Sequence, residues 1–164
     1  ASSGLHSNGY SLARKVLFQD KQLPRHLRPS GFEKSLGESL LEPTRIYVKD
    51  VLDLLDTVTV KGLSHITGGG IPGNLPRCLP DGTRAVLDEH AWQRPALFDF
   101  IAETGHVERA EMFRTFNMGL GMIAVVPSPD VPAALRRLRS RKVQAWEVGR
   151  IEKGLGDPEA WVQP

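Results

Sequence analysis

Apolar residues recur along the chain with two different spacings, and segments of the two kinds alternate from one end to the other. A spacing of three or four residues predicts an amphipathic helix, whereas a short run of apolar and β-branched residues predicts a strand. Helices are predicted over residues 10–17, 36–41, 48–55, 75–79, 95–105, 108–116 and 131–141, and strands over 61–67, 84–87, 122–126 and 146–151. This alternation predicts a mixed β-sheet flanked by helices in a single domain, residues 1–164.

Local signals add detail to this outline. Ser7 or Asn8 precedes the first helix and is predicted to cap its N-terminus, as Asp130 is for the last helix. The run from Met122 to Val126 is continuous and rich in β-branched residues, which predicts a strand buried on both faces. The residues after Gly154 include further Gly and Pro and predict an irregular tail.

Composition narrows the class of protein without indicating a function. Hydrophobic residues make up 40% of the 164 residues and charged residues 24%, as in a globular domain. The net charge of +2 does not predict a nucleic-acid binder, and no apolar run is long enough to predict a membrane span. The single cysteine, Cys78, excludes an internal disulfide and favours a reducing compartment such as the cytoplasm. No histidine or cysteine spacing predicts a metal site. The chain begins at Ala1 without Met, which indicates a piece of a longer protein.

Three consecutive glycines, Gly68, Gly69 and Gly70, follow a predicted strand that ends near His65 and Thr67. Glycine loses the most entropy on folding, so it is favoured where the backbone turns at positive φ or approaches another surface closely. Successive N–H groups in such a loop form a concave array that suits an anion such as phosphate. A tight turn without a ligand is the alternative. His65 is a candidate phosphate donor or proton carrier, with a structural histidine as its alternative.

The sequence His6-Ser7-Asn8-Gly9 directly precedes the first predicted helix. The first turn of a helix has free N–H groups and a partial positive charge, which attract anions. Gly9 would permit close approach of a ligand, while Ser7 and Asn8 would supply side-chain donors. Simple capping by Ser7 or Asn8 is the alternative.

A third polar cluster, formed by Arg114, Thr115 and Asn117, lies between a predicted helix and the 122–126 strand. Loops at strand ends are common ligand positions, and an arginine guanidinium can bind a carboxylate or a phosphate through two hydrogen bonds. Glu111 lies three residues before Arg114, so an intrahelical ion pair is the alternative. The basic run between residues 136 and 142 predicts a solvated helix face.

Taken together, these segments resemble one enzyme family. Residues 1–12, which contain the His6–Gly9 sequence, resemble the opening of the C-terminal domain of the aminoimidazole ribonucleotide (AIR) synthetases, or phosphoribosylformylglycinamidine cyclo-ligases. Later motifs of that family are matched in the same order and spacing by Pro43–Val48, His65–Gly70, Asn74–Arg77 and Glu111–Met122. The resemblance covers nearly the whole chain. It implies the α+β fold of this superfamily, a mixed sheet within three α/β/α layers.

The resemblance also implies an activity. Members of the family use ATP and Mg²⁺ to close the imidazole ring of formylglycinamidine ribonucleotide in purine biosynthesis, a cytoplasmic pathway. They are homodimers with two domains, and the N-terminal domain carries the dimer contacts and much of the nucleotide and metal site. Nothing in this chain resembles that N-terminal domain. The chain is therefore expected to be a C-terminal half that contributes substrate-phosphate binding and is inactive by itself.

For individual residues, the resemblance implies an anion site at Ser7, Asn8 and Gly9 for the ribose phosphate of the substrate. The remaining expected binding residues line or border the same cleft, and they are His6, Thr67, Gly68, Gly69, Gly70, Asn74, Arg114, Thr115 and Asn117. No residue has an assigned role as acid or base, and His65 and Arg114 are the only catalytic candidates. Two alternatives stay open: a stand-alone module that binds a phosphorylated metabolite, or another superfamily enzyme such as selenophosphate synthetase, thiamine-phosphate kinase or a hydrogenase maturation protein.

Overall fold

The computed structural model describes residues 1–164 and contains seven α-helices and five strands. The helices are α1 Tyr10–Arg14, α2 Leu36–Leu40, α3 Val48–Leu55, α4 Gly70–Asn74, α5 Ala96–Gly105, α6 Arg109–Thr115 and α7 Val131–Ser140. The strands are β1 Gly62–His65, β2 Thr83–Asp88, β3 Met122–Val125, β4 Gly149–Lys153 and β5 Glu159–Gln163. A π-helical segment, Lys15–Asp20, continues α1, and 3₁₀ turns follow α4 and precede α7. None of the helices is long and apolar enough to cross a membrane.

The five strands form two small sheets. In the first sheet β1 and β3 are antiparallel, with Gly62 opposite Val125 and His65 opposite Met122. In the second sheet β2 is central, antiparallel to β4 and parallel to β5. Antiparallel and mixed sheets together with helices confirm the predicted α+β class.

One apolar core joins most of the elements. It contains 21 buried residues, and its largest fully buried side chains include Phe98, Phe116 and Met112. The rings of Phe98 and Phe116 meet edge to face with centroids 5.9 Å apart, which ties α5 to the end of α6. Helix α7 lies apart from this core and is attached to α3 by ion pairs of Arg137 and Arg141 with aspartates of α3. The predicted solvated basic face is therefore partly an inter-helix contact.

The capping prediction for α1 was wrong, and that for α7 is confirmed in position only. Gly9 is the N-cap residue of α1, with a φ of 72°, and no side chain caps that helix. Instead the Asn8 amide donates to the His6 carbonyl, and the Ser7 hydroxyl bonds to that of Thr44, 37 residues along the chain. Asp130 does occupy the N-cap position of α7, but its side chain makes no capping hydrogen bond. Capping residues are identified from local sequence, whereas the side chains of Ser7 and Asn8 bond elsewhere.

Two strand predictions also need correction. The expected irregular tail contains β5, which pairs in parallel with β2 so that Ala160 lies opposite Ala85. A parallel partner distant in sequence leaves no signal in the tail itself, which is rich in turn-forming residues. The 122–126 strand, predicted to be buried on both faces, has only Ile123 buried among the residues of β3. Its neighbours Met122, Ala124 and Val125 stay half-exposed and line an apolar cavity.

Candidate functional site

The fold brings the three polar motifs to one place. A Cβ atom built on Gly68 would lie 3.5 Å from Oδ1 of Asn8, so the glycine loop lies beside the His6–Gly9 loop. A Cβ on Gly9 would lie 2.2 Å from the ring of Phe116, immediately after α6. A Cβ on Gly70 would lie 1.8 Å from the carbonyl oxygen of Phe113. We call the junction of these three segments the loop cluster, defined as residues 6–9, 67–70 and 113–117.

Glycine is required in this loop both because the backbone has positive φ and because it approaches another segment closely. Gly69 and Gly70 have φ values of 95° and 59°, and Gly70 packs directly on the backbone of α6. The Gly70 N–H donates to the Thr67 carbonyl and so is not free for a ligand. The N–H groups of Gly68 and Gly69 donate to no protein group, and Gly68 is exposed. The predicted donor array is thus reduced to two neighbouring backbone donors.

The buried side chain of Asn74 forms hydrogen bonds that stabilise the glycine loop. Its side chain is only 5% exposed, and its amide nitrogen contacts the carbonyl oxygens of Thr67 at 3.3 Å, Gly68 at 3.1 Å and Gly70 at 2.8 Å. Its Oδ1 accepts a hydrogen bond from the Thr67 hydroxyl at 3.1 Å. These bonds hold three carbonyls of the loop, while the N–H groups of Gly68 and Gly69 have no acceptor within the protein. The side chains of Asn74 and Thr67 therefore support the loop and are already hydrogen-bonded within it.

His6 is the most buried polar side chain of the His6–Gly9 loop, with 3% of its surface exposed. Its Nε2 accepts backbone N–H groups of Ser3 at 2.9 Å and of Arg45 at 3.4 Å, so the imidazole proton resides on Nδ1. Nδ1 is buried and has no partner. Burial, together with the nearby charges of His65, the N-terminal amine and Arg45, lowers the pKa of His6 to about 4. His6 is therefore neutral at physiological pH and orients backbone rather than carrying charge.

Backbone strain is concentrated beside His6. Both His6 and Ser7 are non-glycine residues with positive φ values, 53° and 62°. Such conformations cost about 1–3 kcal/mol and persist only where the surroundings impose them. Here the surroundings are the Ser7–Thr44 hydroxyl contact at 3.3 Å and the backbone contacts of His6. Thr44 lies in the segment 43–48, for which the sequence indicated a family resemblance but no chemical role.

The third motif contributes little free hydrogen-bonding capacity. Arg114 forms the i, i+3 ion pair with Glu111, and Glu111 also accepts the Thr115 hydroxyl at 2.7 Å. Asn117 is 1% exposed, donates to the Gly4 carbonyl and accepts the Gly119 N–H, both at 2.8 Å. The Arg114 side chain is 75% exposed. The motif therefore connects the N-terminal residues to the α6–β3 turn, and Arg114 is its one exposed charge.

His65 lies at the rim of the loop cluster. It is exposed at the end of β1, and its ring centroid lies 6.4 Å from that of His6 and 5.9 Å from that of Tyr47. No group of three or more His, Cys, Asp or Glu side chains is placed to hold a metal ion. The surface around the loop cluster thus offers backbone N–H groups, hydroxyls and an imidazole, which suit an anion rather than a cation.

Comparisons with known proteins agree on the family. The family model described as AIR synthase related protein, C-terminal domain, matches residues 1–157. Phosphoribosylformylglycinamidine cyclo-ligase of Myxococcus xanthus is 64% identical over 163 residues, covering 99% of this chain and 47% of that protein. The cyclo-ligase of Caldicellulosiruptor bescii is 52% identical, with 94% and 46% covered. The chain spans about half the length of the curated relatives it matches.

A solved structure shares the fold. The thiamine-monophosphate kinase of Stenotrophomonas maltophilia superposes with a TM-score of 0.61 at 17% identity, covering 97% of this chain and 48% of that one. At this level of identity the similarity concerns the fold alone.

Proposed function

The chain belongs to the AIR synthase related proteins as their C-terminal domain, and from that premise we propose that it is the C-terminal half of a phosphoribosylformylglycinamidine cyclo-ligase. The whole enzyme would convert formylglycinamidine ribonucleotide to aminoimidazole ribonucleotide with ATP, in cytoplasmic purine biosynthesis. The identity of 64% to the Myxococcus xanthus enzyme over 99% of the chain supports this assignment. An upstream half, lying N-terminal to Ala1, would supply the remaining length and the homodimer contacts.

We assign the loop cluster to the ribose phosphate of the substrate. The observation that carries this assignment is the proximity of Asn8 and Gly68, because it brings two loops with polar donors to one point. The donors on offer are the N–H groups of Gly68 and Gly69 and the exposed hydroxyl of Ser7. Backbone N–H groups arranged in this way bind phosphate oxygens without a charged side chain. Their positions are fixed before binding by Asn74, which reduces the entropy lost when the substrate binds.

The contribution of this half to the reaction is then positioning. Ring closure by the proposed route needs ATP to phosphorylate the formyl oxygen, and the amidine nitrogen then attacks the activated carbon and releases phosphate. Holding the ribose phosphate at the loop cluster would fix the far end of the substrate and so restrict the approach of the two reacting groups. His65 and Arg114 are exposed polar side chains at the rim of the loop cluster and within it, and we propose them as substrate contacts with no assigned proton transfer.

The residues present do not fit a Mg²⁺ site, since no acidic cluster is placed for one. We therefore assign both Mg²⁺ and most of the ATP contacts to the upstream half.

The test of the phosphate site is Asn8→Ala in the full-length enzyme. The Asn8 side chain lies beside Gly68 and donates to the His6 carbonyl, so its loss should loosen both loops and raise the KM for the ribonucleotide by about tenfold, corresponding to about 1.4 kcal/mol. The KM for ATP should stay unchanged. Ser11→Ala, an exposed position in the first turn of α1, is the control and should alter neither constant. An unchanged ribonucleotide KM in a correctly folded Asn8→Ala enzyme would contradict the placement.

The assignment to a two-part enzyme is tested by mixing separately expressed halves. ATP-dependent formation of aminoimidazole ribonucleotide should be absent with residues 1–164 alone and should appear when the upstream half is added. If the two halves associate and the mixture stays inactive, the cyclo-ligase assignment is wrong and another reaction of the superfamily or a binding role takes its place.

A further inference from the structure

The His65 side chain is oriented by neighbouring rings. His65 is exposed at the end of β1, and its ring centroid lies 5.9 Å from that of Tyr47 and 6.4 Å from that of His6. The planes are inclined by 63° and 53°, so the rings meet at an angle rather than face to face. These ring contacts restrict the rotation of the imidazole without using either of its nitrogens. Both nitrogens therefore remain available to a ligand.

Tyr47 is itself held in place. Its side chain is only 9% exposed, and its hydroxyl donates to the Ala1 carbonyl at 2.8 Å. The guanidinium carbon of Arg45 lies 5.7 Å from the centre of the ring, and the His6 ring meets it edge to face at 5.9 Å. We call His6, Tyr47 and His65 the ring triangle. Two of its members are buried, and His65 is the one that reaches solvent.

Gly121 provides the space for the ring triangle. A Cβ atom built on Gly121 would lie 2.0 Å from Oη of Tyr47 and 2.6 Å from Cε1 of His6. Its φ is not in the left-handed region, so glycine is needed here for steric reasons alone. The Gly121 carbonyl also accepts the N–H of Ile66, the residue after His65, at 2.9 Å. Gly121 thus admits the two buried rings and fixes the backbone beside the third.

We propose that Tyr47 is a positioning residue for the substrate ribonucleotide: its ring, placed in the space left by Gly121, holds the His65 imidazole in the orientation that contacts the substrate at the loop cluster. The inference rests on the proposed function, in which His65 is a substrate contact. A side chain whose orientation is fixed before binding loses less entropy when the ligand binds. The segment 43–48 thereby acquires a role through Tyr47.

A buried tyrosine that only fills the core would behave differently. Its loss would act on the substrate independently of His65, so the two effects on binding would add. If Tyr47 acts through His65, removing its ring has no further effect once the imidazole is gone. Additivity of the two substitutions therefore separates a positioning role from a purely structural one.

The kinetic test uses the full-length enzyme. His65→Ala should raise the KM for the ribonucleotide by about tenfold, the value of one hydrogen bond, and Tyr47→Leu should do the same. The double variant should be no worse than either single variant. Tyr47→Phe keeps the ring and loses only the hydroxyl, so its KM should stay within about twofold of wild type. The KM for ATP should not change in any of them.

Ring dynamics test the positioning without requiring turnover. In full-length enzyme labelled with ¹³C in the histidine rings, the order parameter of the His65 ring should exceed those of the exposed His26, His90 and His106. Tyr47→Leu should lower it to their range, whereas Tyr47→Phe should leave it unchanged. Gly121→Ala displaces the same rings from the opposite side and should also lower it, so the test does not depend on one variant folding.

The outcomes keep the two proposals apart. An unchanged ribonucleotide KM in His65→Ala would remove the substrate contact from the proposed function and this inference with it. A raised KM in His65→Ala combined with wild-type KM and ring order in Tyr47→Leu would overturn the role of Tyr47 alone. Additive losses in the double variant would likewise show that Tyr47 does not act through His65.

Discussion

The closest packing in the loop cluster is at Gly70, and this position gives the sharpest stability prediction. A Cβ atom there would lie 1.8 Å from the Phe113 carbonyl oxygen, 2.8 Å from its carbonyl carbon and 3.0 Å from the Phe116 carbonyl oxygen. All three atoms are backbone, so no side-chain rotation relieves the clash. The φ of 59° adds strain for any residue other than glycine.

These two effects set the size of the loss for Gly70→Ala. A left-handed conformation costs alanine about 1–2 kcal/mol. Forcing a methyl group into a fully packed position costs typically about 1–3 kcal/mol more, because the α4 and α6 backbones must separate. The free energy of unfolding should therefore fall by about 3 kcal/mol. For a domain of this size that corresponds to a decrease in Tm of about 6–12 °C.

Gly82→Ala is the matched control. Gly82 has a similar φ of 71°, but nothing lies within 4 Å of the point where the alanine methyl group would sit, so only the conformational strain applies. Urea denaturation of residues 1–164, followed by circular dichroism, should show the Gly70→Ala loss exceeding the Gly82→Ala loss by about 2 kcal/mol. Equal losses in the two variants would refute the claim that the glycine loop is packed against the α6 backbone.

Three further predictions concern single side chains. His6 has a folded-state pKa of about 4, below its ordinary value of 6.5, so the stability that it contributes is complete above pH 6.5 and is lost as the pH falls through about 4. The loss should reach about 3 kcal/mol in urea titrations and should be absent from a His6→Gln variant. Asn74→Ala leaves buried carbonyls of the glycine loop without donors, and thermal unfolding should show a loss of about 2–3 kcal/mol. Ser35→Ala removes the capping box that Ser35 forms with Glu38 and should cost about 1 kcal/mol in the same assay.

Each of these three has an outcome that would contradict it. A pH dependence that is identical in the wild type and His6→Gln would show that His6 is not held neutral by the fold. Wild-type stability in Asn74→Ala would mean that the loop carbonyls find other donors. A Ser35→Ala loss no larger than that of Ser11→Ala, where the side chain is exposed and makes no cap, would exclude the capping contribution.

Features that depend on neighbours along the chain could be predicted from residue order alone. The apolar stripes of α3, α5 and α7 appear as helical spacing because a helix places residues three and four apart on one face. The motifs of the loop cluster were also recognisable, since glycine runs and polar residues before a helix have local chemical meaning. The need for glycine at Gly70 was predicted for the right reason, close approach and positive φ.

Contacts between distant parts of the fold decide whether a polar group of the loop cluster is available to a ligand. The sequence indicated ligand contacts at Thr67, Asn74 and Asn117. In the structure these side chains form hydrogen bonds with other groups of the protein. Strand β5 and the free edges of β3 and β4 could not be predicted from the sequence either, because strand pairing joins segments that are far apart along the chain. Residue types and their spacing fix what a segment can form, whereas hydrogen-bond partners and strand neighbours are selected by packing between distant segments, which no local pattern encodes.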